Sequence, residues 1–462
     1  MVFSSLEFLF GFLPVLLIVY FLLPAAWKNG WLLLGSLAFY TYGTWSHPVH
    51  LLVLLAGVTL NYALARGIDG GRFRKLWFAV GLLADLGLLF YFKYAAFFLG
   101  AVSDALHLGW TVSEQVLPLG ISFFTFRAVS YLADVYRGKE RAERSLWSIG
   151  NYFFLFPTVV SGPLVRYGDI RQRLAQRSVG LAAVDHGLRE FVIGLGLKVL
   201  LADQIGKLWS DVASIGYDSI STPLAWMGLI AYSFQLYLDF YGYSRMAVGL
   251  GLMLGFQLPR NFCYPYTARS MTEFWRKWHM SLGQWFRDYV YIPLGGSREG
   301  RFKTFRNLFV VWLCTGLWHG ADWNFLLWGL ILFLLLAIEK AGWKNVLDRH
   351  RILSRIYMLL AIPLTWLVFA ISDLGQLKTY FLRLFPVNGQ VLGAYTKDFL
   401  KYGKMYGVLL VICALFCTPL PRRLYRKLSQ SPWVILILLA ILWGSLYCLF
   451  QGVNDPFMYF RF

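Results

Sequence analysis

RNLFVVWLCTGLWHGADWNFLLWGLILFLLLAI, residues 306–338, is 33 residues of nearly continuous apolar sequence with a single polar interruption, Leu317-Trp-His-Gly-Ala-Asp-Trp-Asn324. About 20 apolar residues suffice for a helix to cross the hydrocarbon of a bilayer. The segment is therefore long for one straight crossing. Its polar, glycine-containing middle suggests two shorter helices that meet inside the membrane. Irregular backbone at that depth is tolerated only where it is buried in protein or lines a watery cavity. Basic residues on both sides, Arg298 to Arg306 and Lys340 onward, suit a hairpin that returns to the cytoplasmic side. A single tilted helix is the other reading.

Further apolar stretches lie near 6–26, 30–45, 48–65, 76–100, 116–136, 150–165, 189–212, 222–256, 354–373, 405–420 and 432–451. Hydrophobic residues make up 58% of the 462-residue chain and charged residues only 15%. Soluble domains are nearer 45–50% apolar and about 25% charged. These values exclude a soluble enzyme, a disordered chain and a nucleic-acid-binding arm. They indicate an all-α integral membrane protein with roughly 10–11 crossings plus re-entrant pieces. We expect one membrane domain over 1–462. Met1 to Phe10 has no basic n-region and carries Glu7, so the first run is expected to be a retained membrane segment.

The net charge of +19 follows from basic loops held in the cytoplasm beside anionic lipid and needs no nucleic-acid partner. Arg66 to Lys75, Lys340 to Arg355 and Arg422 to Lys427 are assigned inside on this rule, which puts both chain ends outside. The basic stretch 374–404 then also faces outside, against the rule. The cysteines show no zinc or disulfide spacing.

Residues 258–306 are rich in charge, tryptophan and tyrosine. Ser270-Met-Thr-Glu273 reads as a capping box. Trp278, Leu282, Trp285 and Tyr289 then recur at helical spacing, and Pro293 with Gly295-Gly296 ends the helix. An interfacial anchor with a snorkelling basic face and a helix dipping into the protein are both open.

Of seven histidines, His319 stands out, deep in an apolar run between two tryptophans. Polar residues at that depth mark a pathway or a reaction site, or else a neutral imidazole satisfied by a carbonyl in a helix bundle. A neutral imidazole there can serve as a general base near neutral pH. For His279, a capping or interfacial role is the plainer reading. Arg276, Lys277 and Arg287 could hold phosphates or simply face lipid headgroups. Asp85, Lys93, Arg127, Asp134, Lys198, Asp203 and Asp239 could line a solute path, but interhelical ties are favoured. Walker A, HExxH, GxSxG and dinucleotide-binding patterns are missing.

Several blocks occur in order: Leu117 to Arg127, Tyr131 to Gly138, Phe156 to Arg166, Asp239 to Ser244, Pro259 to Tyr266, Thr272 to Gly296 and Gly316 to Gly320. Together they resemble the membrane-bound O-acyltransferase superfamily, in its bacterial branch of alginate O-acetyltransferase-like proteins. The resemblance covers most of residues 1–340 and implies a multi-pass helical fold with re-entrant segments and a catalytic centre near 230–340. It implies transfer of acetyl from cytoplasmic acetyl-CoA to an acceptor hydroxyl outside the inner membrane of a bacterium. The acceptor would be a polysaccharide, reached through a periplasmic acetyltransferase partner. On this resemblance His319 is the catalytic histidine and His279 the second one. Arg276, Lys277, Arg287, Trp278, Trp318 and Asn324 are expected near substrate or coenzyme. Acetyl-CoA is the donor, membrane lipid the surroundings, and neither metal nor a permanently bound cofactor is expected. Relatives tend to carry acidic residues where this chain has Arg245 and Arg260, and a further histidine after the match to Trp328-Gly-Leu. D-alanyl transfer to teichoic acid from a carrier protein, a lipid or polysaccharide transporter, and a non-catalytic scaffold are the competing functions.

Overall fold

The computed structural model describes residues 1–113, 115–386, 397–429 and 431–452. Part of the basic stretch 374–404 and the C-terminal end, both expected outside, lie beyond the described residues. The described residues form helices and no strands. Six helices are long and apolar enough to cross a membrane: Val49–Asp69, Arg74–Leu106, Trp323–Arg349, Arg351–Ala370, Asp398–Phe416 and Trp433–Phe450. Other helices, among them the 32-residue Thr222–Met253, carry most of the remaining apolar runs. A multi-pass, all-helical membrane protein is thus what the composition anticipates.

The chain divides into two compact units. The first comprises Met1–Phe191, Met246–Arg260 and Gln284–Tyr289. Within it α1 (Val49–Asp69), α2 (Arg74–Leu89) and α3 (Ile121–Tyr136) pack against one another. Arg127 on α3 is buried and donates to the carbonyls of Tyr152 at 3.1 Å and Phe153 at 2.6 Å, and to that of Thr158. It ties α3 to the junction of two short helices, Leu146–Phe154 and Phe156–Val159, where end-of-helix carbonyls need partners. On the same helix Asp134 accepts from the Tyr289 hydroxyl at 2.6 Å, and the Phe126 carbonyl accepts from Trp285 Nε1 at 2.9 Å.

The second unit comprises Val192–Arg245, Asn261–Gly283 and Val290–Phe462. It holds most of α4 (Thr222–Met253), the short helices α5 (Met271–Lys277) and α6 (Met280–Phe286, in part), and α7 (Arg301–His319), α8 (Trp323–Ile338) and α9 (Arg351–Ala370). Lys198 is buried between Asp203 and Asp239, with 3.1 Å to the latter. With Arg127 and Asp134, this bears out the reading of these buried charges as interhelical ties.

Residues 306–338 form a helical hairpin rather than one tilted helix. α7 stops at His319, and Asp322 starts α8 by accepting the Trp323 amide at 2.7 Å. The two helices run side by side because Gly316 and Gly329 face each other. A Cβ on Gly316 would lie 2.5 Å from the Phe325 carbonyl oxygen, and one on Gly329 would lie 2.6 Å from that of Trp312. Without a driving force from water, membrane helices associate through such close backbone approach.

The helix expected from Ser270 to the Gly295-Gly296 pair is broken. Trp278 is extended and His279 is left-handed, at φ 40°, between α5 and α6. The side-chain periodicity is real, but tertiary partners outcompete the helix at this point. Cys263 N–H donates to the Lys277 carbonyl at 3.0 Å, and Met280 N–H donates to the Asn261 carbonyl at 2.9 Å. The capping box is also only half formed. Ser270 Oγ accepts the Glu273 amide at 3.1 Å, whereas Glu273 takes the Arg269 amide at 2.8 Å instead of that of Ser270. Glu339, at the end of α8, satisfies the next two amides, accepting from Met271 N–H at 2.5 Å and Thr272 N–H at 2.9 Å.

Candidate active site

The break in α5–α6 and the tip of the α7–α8 hairpin carry the two histidines, both in the second unit. The His279 ring lies 5.9 Å from that of Trp318, and the Trp318 ring lies 4.6 Å from that of His319. One indole is therefore shared by both imidazoles. His319 is further held edge-on by Trp328 and Phe369, each 5.0 Å away, and His279 by Phe240 at 4.8 Å. His279 is 2% exposed and His319 6%. Both are enclosed by protein and turned away from lipid headgroups, which removes the anchor reading of His279. Burial pushes the His279 imidazole below its ordinary pKa, because a dry site disfavours the imidazolium.

Around this pair is an indole stack. Trp275 packs on Trp312 at 4.8 Å and on Trp328 at 5.6 Å, and Trp366 packs on Trp278 at 4.9 Å. Among these, Trp366 Nε1 donates to the Tyr266 hydroxyl at 3.1 Å. The indole N–H groups of Trp275 and Trp328, both His279 nitrogens and the Tyr237 hydroxyl are buried without hydrogen-bond partners. Buried polar atoms in folded proteins are nearly always paired. A cluster of polar atoms that no protein group satisfies, beside two histidines, makes this the candidate site.

The sequence profile of MBOAT, the membrane-bound O-acyltransferase family, matches residues 72–371. The chain belongs to this family. It is 40% identical to the probable alginate O-acetylase of Pseudomonas putida, across 81% of this chain and 78% of that protein. It is 32% identical to the peptidoglycan O-acetyltransferase of Helicobacter pylori, across 100% of this chain and 98% of that one. A teichoic acid D-alanyltransferase of Streptococcus thermophilus is 30% identical across 50% of this chain and 60% of its own length. The protein is thus a membrane-bound acyltransferase and an enzyme, which sets aside the transporter and scaffold readings.

The other expected site residues of this acyltransferase fall in different settings. Trp318 and Trp278 belong to the aromatic stack around the histidines. Asn324 is buried and donates to the Val368 and Phe369 carbonyls, each at 3.2 Å, so its amide group holds the end of α9 beside His319. Lys277 is ion-paired to Glu273 at 2.6 Å. Burial alone would raise the Glu273 carboxyl, but Lys277 and the Arg269 amide outweigh it and hold it below the usual range. Arg276 is exposed, on the helix turn before His279. Arg287 is exposed in the first unit and bonds Asp288 at 2.7 Å. Burial acts upward on Asp288 too, and Arg287 and Arg166 reverse it to a net lowering. Sequence reading passed over Glu339, which looks like the start of a basic loop, and Asn261, Trp275 and Trp366, whose significance lies in contacts across long stretches of chain. Trp328 was legible only as part of a Trp-Gly-Leu match.

Proposed function

We propose that this acyltransferase moves acetyl from cytoplasmic acetyl-CoA to a hydroxyl acceptor on the periplasmic side of a bacterial inner membrane, for O-acetylation of a polysaccharide. The observation that carries the reading is the pairing of His279 and His319 on the Trp318 ring, inside a cluster of buried unpaired polar atoms. The names of the relatives aligned over four-fifths or more of the chain, an alginate O-acetylase and a peptidoglycan O-acetyltransferase, supply the acyl group and the class of acceptor. A periplasmic acetyltransferase that carries the acetyl onward to the polymer completes the proposal.

A hydroxyl is a weak nucleophile near neutral pH and needs a base in hydrogen-bond reach. In the proposed step the His319 imidazole takes the proton as the acceptor oxygen attacks the thioester carbonyl carbon. A C–O bond forms, the carbonyl electrons move to oxygen, and their return breaks the C–S bond. The thiolate leaves and recovers the proton. His279 and the indole N–H of Trp328 are the groups available to orient the thioester or steady its oxygen. The dry aromatic walls exclude the water that would otherwise hydrolyse the thioester.

The test compares native membranes carrying wild type or His319→Ala at matched protein levels, supplied with acetyl-labelled acetyl-CoA. Loss of general-base assistance lowers transfer by about 10²–10⁴-fold. Equal labelling in both removes His319 from the mechanism. Absence of labelling in both, with acceptor and partner proteins present, points to a different acyl donor, such as a carrier-bound D-alanyl group.

A further inference from the structure

We infer that Asn261 is a positioning residue for His279, acting through the break between α5 and α6. This inference rests on the reading of His279 as part of the reacting site. His279 is a non-glycine residue at φ 40°, a left-handed conformation that persists only where the surroundings impose it. The surroundings that impose it are one short segment. The Asn261 carbonyl accepts Met280 N–H at 2.9 Å, on one side of His279. Two residues on, Cys263 N–H donates to the Lys277 carbonyl at 3.0 Å, on the other side. The Asn261 side chain completes the clamp: its Oδ1 accepts Ser281 Oγ–H at 2.6 Å and Ser281 N–H at 3.4 Å.

The same residue thus replaces the helix bonds that the break forfeits at Met280 and Ser281. Asn261 is 1% exposed, so the clamp works without competition from water. No protein group bonds either nitrogen of the His279 ring. Its direction follows from the backbone turn and from the packing of Phe240 and Trp318. Asn261→Ala keeps the backbone bonds to Met280 and Lys277 but removes the side-chain hold on Ser281, which frees the first turn of α6 to shift. The imidazole then swings off the Trp318 ring, while the aromatic core around it stays packed.

The experiment is a double-mutant cycle on acetyl transfer in native membranes, at matched protein levels, with Asn261→Ala, Asn261→Asp, His279→Ala and the Asn261→Ala/His279→Ala pair. Asn261→Ala is expected to lower kcat by about 10–10²-fold, the cost of misplacing a reacting group by an ångström or so. KM for acetyl-CoA is expected to change far less. Asn261→Asp keeps an acceptor for Ser281 and is expected to recover most of the activity. In the pair, the asparagine change adds nothing to the loss already caused by His279→Ala. Additive losses in the pair, or a loss in Asn261→Asp as deep as in Asn261→Ala, would overturn the inference, since Asn261 would then act independently of His279 or touch substrate through its amide. Wild-type turnover by Asn261→Ala overturns it too and leaves the proposed role of His279 intact. Wild-type turnover by His279→Ala sinks that role itself, and the inference with it.

Discussion

At the residue scale, the site contrasts two neighbouring tryptophans that differ in one hydrogen bond. Trp328 packs on His319 with its N–H unpaired, whereas Trp366 spends its N–H on the Tyr266 hydroxyl. Leaving a buried N–H unpaired costs about 1–3 kcal/mol. A thioester or acceptor oxygen would recover that cost on binding. Trp328→Phe keeps most of the ring and loses the donor, so acetyl transfer is expected to fall by about tenfold or more. Its thermal stability should be at or above wild type. Trp366→Phe removes a donor to the Tyr266 hydroxyl, which keeps its own bond to the Ser233 carbonyl at 2.6 Å, and should lower the melting temperature modestly with little change in kcat. Turnover assays and thermal denaturation of purified protein, run side by side, check both. If both variants lose turnover alike, the donor assignment fails.

At the scale of elements, α5 is seven residues long and has too few internal bonds to stand alone. Glu339 supplies what it lacks, with the Thr272 hydroxyl as a third donor at 2.8 Å. Glu339→Ala is expected to destabilise the protein by about 1–3 kcal/mol, because buried amide donors lose their acceptor. Glu339→Gln, which retains one acceptor oxygen, should cost less; chemical denaturation in detergent ranks the two. Asp288 makes a separate, pH-dependent contribution in the first unit. Its folded pKa lies below the ordinary carboxylate value, so its contribution is fully present above that value and is lost as pH falls through the folded pKa. Melting curves between neutral and acid pH should show Asp288→Asn closing on wild type as the pH drops. A constant gap would rule out the ion pair as the cause.

At the scale of the whole molecule, low charge leaves little room for uncompensated ions. Lys198 answers two buried carboxylates, Asp203 and Asp239. Removing it strands like charges together, and breaking such buried pairs typically costs about 3–5 kcal/mol. Lys198→Ala is therefore expected to fail to accumulate, whereas Arg189→Ala, which removes a partly exposed pair with Asp185, should express normally. Membrane immunoblots at equal transcript level decide it. Equal accumulation of the two variants would mean that the Lys198 cluster does not support the fold.

Apolar run length and scarcity of charge were enough to establish a multi-pass helical membrane protein, because bilayer thickness and backbone hydrogen bonding leave a chain of that composition few alternatives. The ordered blocks from Leu117 to Gly320 were enough for the family, and the glycine-containing polar break anticipated the α7–α8 hairpin. Tertiary structure alone decided where the helix beginning at Ser270 breaks. A local pattern such as Trp278, Leu282, Trp285 and Tyr289 reports propensity, whereas the left-handed turn at His279 is stabilised by Asn261 and Cys263, more than a dozen residues away. It likewise decided that Glu339 ends up on the amides of Met271 and Thr272, and that Lys277 and Asn324 spend their polar groups within the protein. Periodicity can place a side chain on a face, but which buried donor finds which acceptor is settled only when separate segments pack together.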